Sequence, residues 1–263
     1  MATFTALQIF AYALSSALYL GYLLGNREGA ARAGRLALAL GVSLHLGDIG
    51  WRCVIAQHPL SSTTEAISFV AFLIAAGYLG ATFKYRLAAA GAFAVPAVLV
   101  LVVLARVVPA DSDAPAMGAL GRAHIFLATV GVAVFTLAAV LAAVYLLLDH
   151  QLRHKQFGRL TGKGTPLETL DRLALRCVSV GFPIFTVALV TGAIWIARLG
   201  GLGGPMAMRP EYLLALATWI AFGVLLVARL GAGWQGRRAA WLTVGGFGGA
   251  MLVLVVYFLR HAA

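Results

Sequence analysis

The stretch HIFLATVGVAVFTLAAVLAAVYLLLDHQLRHK, residues 124–155, carries no charged side chain between His124 and Asp149. A helix needs roughly 20 apolar residues to cross a hydrocarbon core about 30 Å thick. This run meets that length and closes on Arg153 and Lys155, which suit the polar side of a membrane. Similar runs recur on either side of it. Together they predict eight spans, near 4–25, 36–56, 65–83, 87–108, 122–148, 173–197, 211–229 and 239–259.

Composition supports this reading. Hydrophobic residues make up 62% of the 263 and charged residues 11%, with a mean hydropathy of +0.93. A soluble domain carries roughly twice that charge. The expected fold is all-α, a polytopic integral membrane protein with about eight transmembrane helices in one transmembrane domain over 1–263. An outer-membrane barrel would instead show segments of about ten residues alternating apolar and polar. The first run has no basic segment before it and no small-residue cleavage site before NREGAARAG, residues 26–34. It reads as a retained span, not a signal peptide.

Basic residues set the expected orientation. The connections around 26–35, 84–86, 149–176 and 229–238 hold 14 of the 20 Lys and Arg. These face the cytoplasm, which places both termini outside, in a bacterial cytoplasmic (inner) membrane. The net charge of +11 is then spread over cytoplasmic loops facing anionic lipid. No basic stripe with interleaved aromatics suggests nucleic-acid binding. Cys53 and Cys177 have no metal spacing and fall in separate spans, so both read as small core residues. SSTTEAI (61–67) and GTPLETL (164–170) read as helix starts, with Ser62 and Glu65, then Thr165, Pro166 and Glu168, in capping positions.

Polar residues inside the spans are the candidates for function. LHLGDIGWR, residues 44–52, places His45, Asp48 and Arg52 on one helix face. His45 falls about 16 Å inward from the end of its span, near mid-bilayer. Asp48 and Arg52, four apart, can neutralise each other, or Arg52 can reach a ligand. His124 and His261 fall at outer ends of spans, with Arg122 and Arg260 close by. Imidazole is a common axial ligand of haem iron, and arginine pairs with carboxylates such as propionates. His58, His150 and His154 read as solvated loop residues.

The order of several segments resembles the cytochrome c assembly family of haem-handling membrane proteins, which includes CcsA, CcmC and HemX-like members. HPLSSTTEAISFVAFLIAAGYL (58–79), the span opening at His124, PLETLDRLALRCVSVGFPIFTVALVTGAIW (166–195) and GWQGRRAAWLTVGGF (233–247) carry the likeness. The shorter HemX-like branch is the better match. Where the family has a tryptophan-rich run, this chain has WIARLGGLGGPMAMRPEY (195–212), keeping Trp195 and Pro210 and adding Met206 and Met208.

The resemblance implies non-covalent haem b presented or moved at the extracytoplasmic face. It implies His124 and His261 as axial ligands and Arg122 and Arg260 as propionate partners. Trp195 would lie beside the cofactor, with His45 and Arg52 lining an inner site or a route from the cytoplasmic side. Other cytochrome c assembly subunits are the implied partners. No nucleophile–base pair, catalytic carboxylate pair or phosphate loop argues for an enzyme. Two alternatives stay open. One is a membrane regulator whose basic loops bind a soluble tetrapyrrole-synthesis enzyme. The other is a secondary transporter for a small anion, using Arg52 and Asp48.

Overall fold

A computed structural model describes residues 2–25, 28–55, 59–108, 118–155, 165–198 and 210–261, with the side chains of 2–3, 210–211 and 254–261 outside the description. Among these residues there are eight helices and no strands. They are α1 (Ala2–Gly25), α2 (Glu28–Val54), α3 (Thr63–Lys84), α4 (Ala88–Val107), α5 (Ala119–Arg153), α6 (Leu167–Arg198), α7 (Pro210–Leu230) and α8 (Arg237–His261). Each coincides with one predicted apolar run. Most of the helices outrun those runs at a polar end, because helical hydrogen bonding continues where hydropathy falls; α4 does not. α5, at 35 residues, is about 52 Å long and exceeds the bilayer core.

Six helices, α1 and α3 to α7, are long and apolar enough to cross a membrane. α2 is not among them because His45, Asp48 and Arg52 interrupt its apolar stretch. The packing has the character of a bilayer protein. Its buried residues are largely small, with Ala71, Ala90, Ala94, Ala138 and Ala142 essentially inaccessible. Phe10, Leu36, Phe83, Val107 and Val227 stand exposed. Hydrocarbon tails solvate such side chains as well as a core would, so helices pack through small residues that let backbones approach.

By its contacts the chain forms two compact units. The first comprises Met1–Pro115 with Leu147–Thr169, the second Ala116–Leu146 with Leu170–Ala263. In the first, α1 packs along α2 and α4, and α3 packs along α4 and more lightly on α2. The hydroxyl of Thr165 donates to the Arg86 carbonyl, tying the approach to α6 onto the α3–α4 turn. α6 itself begins at Leu167, one residue later than its capping pattern suggested.

The second unit is built on Phe135, Ala138, Val178, Phe222, Leu225 and Ala239. Phe135 and Phe222 stack with centroids 4.0 Å apart. Cys177 packs at the edge of this core. Cys53, expected to be buried, is exposed near the end of α2. His150 and His154, read as loop residues, lie at the last turn of α5 and just past it.

Candidate functional site

In the first unit, the α2 face read from the sequence is the centre of a closed polar network. His45 is fully buried. Its Nδ1 lies 3.1 Å from the Tyr12 hydroxyl on α1 and its Nε2 lies 3.0 Å from Ser68 Oγ on α3. Gly41 makes the Tyr12 contact possible, since a Cβ there would stand 2.9 Å from the Tyr12 ring. Both ring nitrogens of His45 are therefore occupied by protein hydroxyls, and an inner ligand site would require displacing one of them.

One turn further along α2, Asp48 and Arg52 do pair, with Arg52 Nε donating to Asp48 Oδ2 at 2.9 Å. The pair is half of a quartet. Arg52 Nη1 donates to Glu65 Oε1 at 2.7 Å, and Arg106 Nη2 donates to Asp48 Oδ2 at 2.8 Å. Arg106 Nη1 closes the ring to Glu65 Oε1 at 3.5 Å. Two guanidinium groups and two carboxylates cancel in charge, and their side chains are only 5–16% exposed. Arg106 also donates to Ser68 Oγ at 3.3 Å, joining the quartet to His45.

Glu65 explains a departure from the capping pattern. Ser62 accepts from the Glu65 backbone N–H at 3.2 Å, as the sequence predicts. The Glu65 carboxylate goes to the two arginines. Tyr12, Ser68 and Arg106 were missed by sequence reasoning. The available signal was that an ionisable group at membrane depth requires a partner, but nothing local identifies a residue 58 positions away.

In the second unit, His124 near the start of α5 lies against α6. Its Nδ1 is 2.7 Å from the Ala188 carbonyl oxygen. A carbonyl only accepts, so Nδ1 carries the proton and donates. That fixes the tautomer and leaves Nε2 with its lone pair, without a hydrogen-bond partner among the described residues. Thr191 Oγ1 reaches the same carbonyl at 2.9 Å. The ring lies on Gly192, where a Cβ would stand 2.8 Å from His124 Cε1 and 3.0 Å from Nδ1. The Trp195 ring, one helical turn beyond Thr191, has its centroid 6.1 Å from that of His124, tilted by 47°.

This arrangement fits a metal-ligating imidazole. Such histidines commonly donate their second ring N–H to a carbonyl or carboxylate, which sets the ring and raises its basicity. Both His124 and Trp195 are only partly buried. Arg122, one residue beyond the N-terminal side of Ala123, is exposed. Arg260 and His261 belong to the last turn of α8, but their side chains lie outside the described residues. The segment 199–209, with Met206 and Met208, lies outside them altogether. Among the described residues no cluster of three or more His, Cys, Asp or Glu is placed to hold a metal ion.

An ion pair joins α6 to α7. Arg229 Nη2 donates to Asp171 Oδ2 at 2.6 Å, and the Gly236 backbone N–H donates to Asp171 Oδ1 at 3.2 Å. One carboxylate near the start of α6 thus holds both the end of α7 and the turn into α8.

Comparison with known proteins places these elements in context. The family model described as cytochrome C assembly protein matches residues 60–262. The cytochrome c biogenesis protein CcsA of Guillardia theta is 30% identical over 213 residues, covering 72% of this chain and 69% of that protein. CcsA of Trichormus variabilis is 40% identical over 80 residues, covering 30% of this chain and 22% of the relative. CcsA of Thermosynechococcus vestitus is 38% identical over 84 residues, covering 32% and 26%. The chain thus aligns with about a quarter or less of the length of some of these relatives and over two thirds of another.

Proposed function

Because this chain belongs to the cytochrome c assembly protein family, we propose that it is a multi-pass membrane protein that binds haem and presents or moves it during cytochrome c biogenesis. The observation that carries the reading is the His124 geometry. An Nδ1–H held by the Ala188 carbonyl leaves the Nε2 lone pair without a hydrogen-bond partner among the described residues. The Trp195 ring beside it supplies a flat aromatic wall.

His124 is the proposed axial ligand. His261 is the proposed second ligand, with Arg122 and Arg260 as propionate partners. Haem supplies the iron centre and the carboxylates that these residues would hold. The protein's own part is to fix the imidazole, shield one side with Trp195 and keep the site near the end of the spans. The excess of Lys and Arg in the opposite set of loops supports reading that end as the outer one, in a bacterial cytoplasmic membrane. The family is one of assembly proteins and not of catalysts, and other assembly subunits are the proposed partners. The named relatives are all CcsA proteins. The HemX-like affiliation and the regulatory alternative rest on sequence reading alone. His45 and Arg52 have protein partners throughout, so neither the inner site nor the anion-transport alternative gains a free group.

The test is visible spectroscopy of the protein purified in detergent, oxidised and reduced, with and without added haem b. A low-spin bis-imidazole spectrum is expected. His124→Ala and His261→Ala should each convert it to a high-spin form, and the double variant should abolish it. An unchanged low-spin spectrum in the double variant would overturn the assignment.

A further inference from the structure

The last turn of α5 carries a second pair of imidazoles. His150 and His154 are four residues apart and both are exposed. The His154 backbone N–H donates to the His150 carbonyl at 3.1 Å, so the helical geometry persists to that point and the two side chains rise from one face. Their ring centroids are 4.3 Å apart, with the planes at 51°. Lys155, at φ 52°, then ends the helix.

We propose that His150 and His154 form a chelating site for a divalent transition metal, of the Cu²⁺ or Ni²⁺ class. Two imidazoles four residues apart on one helical turn, with ring centres 4.3 Å apart, are close enough for one ion to be reached by both. Among divalent first-row metals, nitrogen sites favour Ni²⁺ and above all Cu²⁺. Imidazole is a suitable donor for all these metals. Arg153, between the two histidines in sequence, is held by Asp149 at 2.9 Å, so that pair adds no net charge beside the metal. Two protein ligands leave the remaining coordination positions to water. The bound metal would cross-link the final turn of α5 where it leads into the basic connection at 156–164.

The test uses the full chain in detergent, purified through a tag without histidine and stripped with chelator, then titrated with Cu²⁺ and with Ni²⁺. Electron paramagnetic resonance of the Cu²⁺ sample should show one tightly bound equivalent with nitrogen coupling from two imidazoles. His150→Gln and His154→Gln should each lower affinity at least about tenfold, because a chelate loses its avidity with either arm. The double variant should then bind no more weakly than either single. Circular dichroism of each variant checks that the helices remain folded. Two results would overturn the proposal: unchanged binding in the double variant, or single losses that merely add, which would show adventitious coordination by independent surface imidazoles.

Discussion

Replacing Arg106 with methionine tests the quartet directly. Methionine keeps much of the side-chain volume but removes the bonds to Asp48 (2.8 Å), Ser68 (3.3 Å) and Glu65 (3.5 Å). Two carboxylates, 5% and 12% exposed, are then left with Arg52 alone, and the site carries one uncompensated negative charge. A unit charge 4 Å from its partner is worth about 4 kcal/mol at an effective dielectric of 20. Breaking a buried pair by removing one partner costs about 3–5 kcal/mol. A loss near 3 kcal/mol is expected, measured by reversible unfolding in mixed detergent micelles. The cycle with Asp48→Asn sharpens the test. The double variant leaves Arg52 and Glu65 as one neutral pair at 2.7 Å, so its loss should fall short of the sum of the singles by about 1–3 kcal/mol. Additive losses, or a single-variant loss below about 0.5 kcal/mol as for an exposed pair, would refute the closed quartet.

The other contacts make sharper or simpler claims. Gly192→Ala puts a methyl group 2.8 Å from His124 Cε1. It should break the Ala188 bond and shift or abolish the haem spectrum while leaving far-ultraviolet circular dichroism unchanged, and an unaltered spectrum would count against the cradle. Asp171→Asn leaves the Arg229 guanidinium, whose side chain is 3% exposed, without its counter-charge; a loss of about 3 kcal/mol in the same unfolding assay is expected. Gln8 is fully buried on α1, with neither carboxamide atom bonded among the described residues. Gln8→Leu should therefore be neutral or stabilising by about 1 kcal/mol, and a clear loss of stability would contradict a dry amide.

What the sequence made legible, and what it did not, follows from the range of each interaction. Hydropathy is a property of contiguous residues, so each of the eight helices among the described residues overlaps one apolar run, although α2 and α6 begin well before theirs, at Glu28 and Leu167. The Asp48–Arg52 pair was equally readable, because a spacing of four on one helix brings side chains together whatever surrounds them. Arg106 was visible only as one more cation near the end of a span. Its meeting with Asp48 depends on how α4 packs on α1 and α3, which both also touch α2, and no local pattern encodes that packing. Glu65 was half read. Its backbone N–H does complete the cap on Ser62, but the same residue's carboxylate answers to two arginines at 13 and 41 positions' separation. His45 and His124 looked alike as histidines within apolar spans, and their partners separate them. His45 has a hydroxyl at each ring nitrogen and is fitted to hold α1, α2 and α3 together. His124 has one nitrogen on a carbonyl, whose demand for a donor leaves the other nitrogen as a base. With Nδ1 committed to a carbonyl, the Nε2 of His124 is the ring's remaining acceptor, and this difference in partners, not the sequence around the two histidines, distinguishes His124 from His45.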